Sequence, residues 1–148
     1  MIITIYGDPM GKQRPKFSAK GHFIKTYTPK ETINYESRVI DAYTQQYNSM
    51  MFNVNAKLRA KITAYYKIPL SRYKVYKKTN SVELDKTGQL MLINEIRPTI
   101  KPDCDNIAKI CLDALNGIAY YDDKQIVELI VSKYYSQEPK VEIKIEEL

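Results

Sequence analysis

The clearest periodic signal in the chain is a strict alternation of apolar and polar side chains over residues 57–69. Because successive side chains of a strand point to opposite faces, this alternation predicts a strand with one buried and one solvated face. The apolar set is Leu58, Ala60, Ile62, Ala64, Tyr66 and Ile68, and the opposite set is Arg59, Lys61, Thr63, Tyr65 and Lys67. The polar set is consistent with an exposed sheet surface or with contact area for a partner.

Other segments also have strand character. Residues 1–6 and 125–135 are apolar, and residues 140–146 alternate between Val or Ile and charged side chains, which predicts a half-buried strand of the edge type. Residues 90–96 are a weaker candidate for a short strand. Aromatic and β-branched residues on both sides of Lys20-Gly21 predict a short hairpin.

Two helices are predicted. The first begins with a capping box, in which Thr28 is the N-cap and Glu31 lies at N3, and runs to about residue 48. The second covers residues 105–116, with Asp105 as N-cap and Asn116-Gly117 as the C-terminal signal. The apolar side of the first helix is assigned to Ile33, Ile40 and Tyr43, widened by Tyr35, Val39 and Tyr47.

Length and pattern together predict one α/β (α+β) domain over residues 1–148. Its core is a mixed sheet of about four to six strands packed with two main helices. No apolar run is long enough to span a membrane, and residues 1–6 lack the features of a signal peptide. Cys104 and Cys111 are seven residues apart on one predicted helix, too far for a disulfide, and with His22 they do not make a usual zinc site. We therefore expect a cytoplasmic protein that has no contact with a membrane.

The net charge of +6 favours a polyanionic partner such as nucleic acid, although composition alone is a weak signal. Cations concentrate in residues 7–30, which can be a solvated loop or an arm along phosphates. Residues 71–78 mix cations with tyrosines, which suits a solvated helical turn or contact with a nucleic acid backbone and its bases. The candidate DNA contacts are Lys12, Arg14, Lys16, Arg72, Lys74, Lys77, Lys78 and Lys101.

Against this basic background, acidic residues gather around the second helix. At about 100° per residue, Asp105, Lys109 and Asp113 share one face, and the apolar residues share the opposite face. Asp103 lies just ahead of the helix, two residues from Asp105, so both carboxylates point to the same side. Leu112 is predicted on the polar face. Three interpretations are open: a tolerated exposed leucine, a dimer contact, or an apolar wedge against a base step.

Carboxylates from separate segments are the ligands that Mg²⁺ or Mn²⁺ prefers. Asp122 and Asp123 can join Asp103 and Asp105 only if the chain folds back beside the start of the helix. A metal there would activate water for phosphodiester hydrolysis, and Lys109 would stabilise the transition state or the departing oxygen. Blander alternatives stay open: Asp105 as a helix cap, an ion pair between Asp113 and Lys109, and a plain turn at residues 122–123.

The same residues carry a resemblance. The chain reads D-C-D-N-I-A-K over residues 103–109, D-A-L over residues 113–115, and D-D-K-Q-I over residues 122–126. This pattern closely resembles the signature of the RusA family, Holliday-junction resolvases of bacteria and prophages. Residues 7–15 and 27–29 resemble the N-terminal part of phage-type members. The departures are Cys104, where an aliphatic residue is common, Tyr121, where some members have tryptophan or another aromatic or aliphatic residue, and the long basic stretch of residues 70–101.

The resemblance implies a RusA-like fold and a Mg²⁺-dependent homodimer that nicks two opposed strands of a four-way junction, with Mn²⁺ as a possible substitute. It implies catalytic roles for Asp103, Asp105, Lys109 and Asp123, and metal ligation by Asp103, Asp105, Asp122 and Asp123. No small-molecule cofactor is expected. The alternative is a branched-DNA-binding protein without catalysis, which would keep the basic segments but show no metal dependence.

Overall fold

The frame of the protein is a four-stranded mixed sheet with helices on one face. The computed structural model describes residues 1–20, 23–49 and 51–148. The elements are β1 Ile2–Tyr6, β2 Lys16–Lys20, β3 Phe23–Tyr27, α1 Lys30–Thr44, β4 Leu58–Lys67, β5 Tyr73–Tyr76, β6 Ser81–Leu84, α2 Lys86–Leu92, α3 Cys104–Leu115, β7 Ile126–Ser136 and β8 Lys140–Glu147, with short 3-10 turns at Leu70–Arg72 and Asp123–Gln125. The predicted α+β fold is confirmed.

The strand order in the main sheet is β1-β8-β4-β7. β4 is antiparallel to β8 and parallel to β7, and β8 is antiparallel to β1. The predicted faces of β4 are confirmed, except that Thr63, assigned to the solvated side, is 9% exposed. Leu58, Ala60, Ile62 and Ala64 are completely buried.

The outer strands differ from the prediction. The alternating segment 140–146 lies inside the sheet, between β1 and β4, and is not an edge strand. The more apolar strand, β7, is an edge, and it leaves Val127 and Leu129 exposed. Alternation reports which face of a strand is buried, but it does not report how many neighbours the strand has.

The helices α1 and α3 pack against each other and cover the buried face of the sheet. The predicted apolar side of the first helix is confirmed at Tyr35, Val39 and Tyr43, which are buried together with Thr32, whereas Ile33 is exposed. On α3 the apolar face predicted from the sequence is buried as a whole, and Ile107, Ile110, Cys111 and Leu115 are fully inaccessible. Leu112, predicted on the polar face, is 9% exposed, so it is not a freely exposed leucine.

Both predicted N-caps are wrong. The first hydrogen bond of α1 runs from the Ile33 amide to the Pro29 carbonyl, so Pro29 is the N-cap and the Thr28 side chain caps nothing. In α3 the Ile107 amide donates to the Asp103 carbonyl, which makes Asp103 the N-cap and puts Asp105 in the first turn. The Asp103 side chain makes no capping hydrogen bond, so its carboxylate remains available for other contacts.

Residues 70–100 form structure that the sequence did not predict. β5 and β6 pair as an antiparallel hairpin, where a solvated helical turn or a segment in contact with nucleic acid was considered. The expected strand at residues 90–96 is instead the end of α2 and the turn after it. Helix α2 is capped by Asp85, whose carboxylate accepts from the Gly88 amide at 2.7 Å, and this local bond favours a helix over a strand.

The hairpin expected around Lys20-Gly21 is present as β2 and β3, although its turn and His22 lie outside the described residues. Helices long and apolar enough to cross a bilayer are absent from the described part of the chain.

Candidate active site

An acidic cleft of about 410 Å³ lies between α3, the turn after it and β7. Asp105, Asp113 and Asp123 reach this cleft together with Lys109, and Leu112, Ile126 and Leu129 form its apolar wall. We call this the acidic cleft. The turn at residue 123 therefore does fold back beside α3, which the sequence could not establish.

The Asp122–Gln125 turn is held by one buried side chain. Gln125 is 6% exposed and donates to the carbonyl oxygens of Asn53 at 2.7 Å and Ala56 at 3.2 Å. Its own oxygen accepts from the amides of Tyr121 at 2.9 Å and Asp122 at 3.2 Å. All four bonds end on backbone atoms, so Gln125 fixes the path of the chain that carries Asp123.

Tyr120 ties the segment before that turn to α3. Its hydroxyl is buried and donates to the Leu112 carbonyl at 2.7 Å. Burial raises the pKa of Tyr120 above its ordinary value, and the negative charges of Asp123 and Asp113 raise it further. The phenol therefore stays a neutral hydrogen-bond donor at neutral pH, close to two of the acids of the cleft.

Asp113 pairs with a residue far away in sequence. The Lys12 ammonium lies 3.1 Å from the Asp113 carboxylate and also contacts Glu36 of α1. Burial lowers the pKa of Lys12, but the hydrogen bonds and charges of Glu36 and Asp113 raise it above its ordinary value overall. The considered ion pair between Asp113 and Lys109 does not form, and Lys109 makes no salt bridge with any described residue.

Asp103 opens on a neighbouring cleft of about 440 Å³, lined also by Lys101, Asn106 and residues 9–13. The loop before it is held from β4 and β7. Tyr66 donates to the Pro102 carbonyl at 3.0 Å, and the Lys133 ammonium donates to the same oxygen at 3.0 Å. Burial, followed by the charges of Cys104 and Asp103, raises the pKa of Tyr66 to about 12, so this donor also stays protonated.

Asp122 is engaged in the turn itself. Its carboxylate accepts from the Lys124 amide at 3.0 Å and lies 3.2 Å from the Lys124 ammonium. These bonds keep the pKa of Asp122 below its ordinary value. Its predicted metal ligation stays a prediction, and its observed role is to cap the 3-10 turn next to Asp123.

The residues of the site suit a metal ion in the type of ligand atom that they offer. Carboxylates facing solvent suit a hard cation such as Mg²⁺. Within residues 1–20, 23–49 and 51–148, no three His, Cys, Asp or Glu side chains stand close enough to hold an ion as they are arranged. Asp105 and Asp123 share one cleft with Asp113, whereas Asp103 lines the next cleft.

The predicted DNA contacts fall into two groups. Arg14, Lys16, Lys74, Lys77, Lys78 and Lys101 are exposed. Lys12 is committed to Glu36 and Asp113, and Arg72 lies 3.4 Å from Asp85. The sequence missed Gln125, Tyr66 and Lys133 as supports of the site. Of these three residues, only Gln125 could have been recognised from the sequence, because it is a fixed position of the D-D-x-Q pattern.

Fold and site define a small α+β domain with a helix that carries carboxylates and an unpaired lysine beside an acidic turn. The sequence model of the family Endodeoxyribonuclease RusA matches residues 6–146. The chain is also 34% identical to the Uncharacterized protein YqaN of Bacillus subtilis (strain 168) over 146 residues, covering 99% of this chain and 95% of the relative. The chain belongs to the RusA endodeoxyribonuclease family, a family of nucleases.

Proposed function

We propose that this protein is a Mg²⁺-dependent, structure-selective DNA endonuclease that resolves Holliday junctions by paired phosphodiester hydrolysis, in recombination and repair. Family membership supports the nuclease class. The observation that carries the proposal is that Asp123, from the turn before β7, meets Asp105 and Lys109 of α3 in one cleft. A protein that only bound DNA would have no reason to gather acids where phosphate must approach.

The residues that would hold the metal are Asp105 and Asp123, joined by Asp103 and with Asp122 beside them. When bound, Mg²⁺ or Mn²⁺ lowers the pKa of water and neutralises charge on a phosphate oxygen. The chain contributes the position of the carboxylates. Asp105 is fixed by α3, and Asp123 is fixed by the four hydrogen bonds of Gln125.

Lys109 is the cation available for the reacting phosphate. Its exposed ammonium is not neutralised by a salt bridge with any described residue, and it lines the same cleft as Asp105. A positive charge there stabilises the negative charge that builds on the phosphate oxygens or on the departing sugar oxygen. Asp113 has the separate task of holding Lys12, which fixes residues 11–13 against α3.

Exposed cations on other parts of the surface extend the contact area for a branched DNA. Lys101 adjoins Asp103, Arg14 and Lys16 lie on the N-terminal segment, and the β5–β6 hairpin carries Lys74 and nearby Lys77 and Lys78. Such cations bind phosphates without reading sequence. A branched DNA partner is consistent with this surface, and the cytoplasm is the location that we propose.

The direct test compares cleavage of synthetic four-way, Y-shaped and linear duplex DNA in Mg²⁺, in Mn²⁺ and in EDTA. We expect paired, symmetric nicks in the four-way junction at rates at least about tenfold above those in linear duplex, and no cleavage in EDTA. Tight binding of the junction without cleavage in either metal would favour the non-catalytic branched-DNA-binding protein instead.

We also propose that the enzyme acts as a homodimer, since two cuts related by a two-fold axis call for two related sites. The edge of β7 supports this, because it exposes Val127, Leu129 and Ile130, and Leu129 also lines the acidic cleft. An open apolar edge strand favours pairing with another chain.

For the dimer, we expect Val127→Lys to convert a dimer to a monomer in analytical ultracentrifugation, because the lysine would be buried at the interface. Val82→Lys is the matched control, since Val82 is an exposed valine on the β5–β6 hairpin, and it should remain dimeric. A monomeric wild-type protein that still makes paired cuts would refute the homodimer.

A further inference from the structure

A third cavity also reaches Lys109. It measures about 250 Å³, is more enclosed than the two larger clefts around α3, and is lined by Lys12, Gln13, Arg14, Pro15, Thr28, Asn106 and Lys109. We call it the basic cavity. Its lining contains three cations and no acid, whereas the acidic cleft is lined by three carboxylates and Lys109. Lys109 therefore stands on the border between sites of opposite charge.

The walls of the basic cavity are fixed in place. The Lys12 amide donates to the Asn106 carbonyl at 2.9 Å, and the Gln13 amide group donates to Glu31 of α1 at 2.8 Å. At Gly11, an added Cβ would lie 2.7 Å from the Pro102 side chain, so the segment packs closely on the loop before α3. The cavity is therefore preformed and does not need a loop to close.

The charges of this cavity are available to a ligand. Lys12 is neutralised by Glu36 and Asp113, but Arg14 and Lys109 form no salt bridge with a described residue. Thr28 and Asn106 supply neutral hydrogen-bonding groups, whereas the Gln13 side chain is already bonded to Glu31. Two unpaired cations with such neighbours suit a singly charged anion with several oxygens, and arginine favours phosphate in particular.

We propose that the basic cavity binds the phosphate next to the scissile one on the same DNA strand, with Arg14 as its main ligand. This inference rests on the proposed nuclease function, because it takes the acidic cleft as the place of the scissile phosphate. Since Lys109 lines both sites, a strand that crosses Lys109 presents successive phosphates to the acidic cleft and to the basic cavity. Binding the neighbour would align the bond to be cut.

The test replaces single phosphates of a four-way junction by neutral methylphosphonates. Binding is measured with the Asp105→Asn protein in Mg²⁺, so the scan does not depend on cleavage. We expect one methylphosphonate, adjacent to the mapped cut site, to weaken binding about five- to tenfold. Arg14→Gln should weaken binding of the unmodified junction by a similar factor, lower its salt slope by about one, and abolish the effect of that methylphosphonate.

Lys16→Gln is the matched control, because Lys16 is an exposed cation two residues further on that does not line the cavity. It should leave the effect of the methylphosphonate in place. The proposal would be overturned if the methylphosphonate weakened binding as much in Arg14→Gln as in the protein that keeps Arg14. It would also be overturned if no methylphosphonate adjacent to the cut site weakened binding by the protein that keeps Arg14.

Inorganic phosphate distinguishes a free anion from DNA. If millimolar phosphate raises the melting temperature in an Arg14-dependent way while the methylphosphonate scan is flat, the occupant is free phosphate and the assignment to DNA is wrong. The outcomes also separate the two proposals. A protein that cuts junctions normally but has a flat scan lacks this subsite, whereas a protein with a sensitive phosphate but no cleavage in either metal is not the proposed nuclease.

Discussion

Asp105→Asn is expected to lower the rate of junction cleavage in Mg²⁺ by at least about a thousandfold, while the affinity for DNA stays the same or rises. The substitution removes a carboxylate from the acidic cleft, which Asp105 lines together with Lys109 and Asp123. Loss of a metal ligand removes activation of water and neutralisation of phosphate charge together. It also removes a negative charge that repels the phosphate, which is why binding should not weaken.

The measurement is single-turnover cleavage of a labelled four-way junction, with binding followed separately. Asp41→Asn is the matched control, because Asp41 is an exposed aspartate on α1 that lies outside the acidic cleft. It makes the same change in net charge and should keep the cleavage rate within about twofold. Full activity in both Asp103→Asn and Asp105→Asn would end the nuclease proposal, since hydrolysis would then not depend on these carboxylates.

Gln125→Leu is expected to lower the free energy of unfolding by about 3 kcal/mol and the cleavage rate by about a hundredfold. The leucine cannot replace the four hydrogen bonds of Gln125, so backbone groups of Asn53, Ala56, Tyr121 and Asp122 lose their partner. The turn would then no longer hold Asp123 beside α3, and a displacement of about 1 Å can cost a factor of about 10² in rate.

Urea denaturation and single-turnover cleavage measure the two effects. Lys124→Gln provides the comparison, because the Lys124 side chain is 79% exposed and adjacent to Gln125. It should change stability by less than about 0.5 kcal/mol. If Gln125→Leu were as stable and as active as the Lys124 variant, the turn would be positioned by something other than this side chain.

Local patterns predicted the parts of the fold in which one element meets one face of the core. The faces of β4 and α3 followed from periods of two and of about 3.6, because the apolar side of an element has to be buried. The same reasoning put Asp105, Lys109 and Asp113 on one side of α3. For α1 it held at Tyr35, Val39 and Tyr43 but not at Ile33, which is exposed, because the large apolar rings of the tyrosines fill the space against the core.

Other parts of the site could not be predicted, because they depend on contacts between distant segments. The pairing of Lys12 with Asp113 spans about a hundred residues, and Lys109 was the nearer candidate on the same helix. In the sequence alone, Gln125 looks like a polar surface residue. Its burial depends on the loop after α1, whose Asn53 carbonyl accepts a hydrogen bond from it. The hydrogen bonds from Tyr66 and Lys133 to the Pro102 carbonyl form only when β4, β7 and the loop before α3 lie next to one another.

The sequence by itself determined the elements of the sheet, the polar face of α3 and the motif that identifies the family, because each of these is written in residues close together along the chain. Only the tertiary structure decided that β7 lies at the edge, that the turn carrying Asp123 returns to α3, and that Lys109 divides an acidic cleft from a basic cavity. These depend on which distant surfaces pack together, and the free energy of that packing is a sum over the whole core that no short pattern contains.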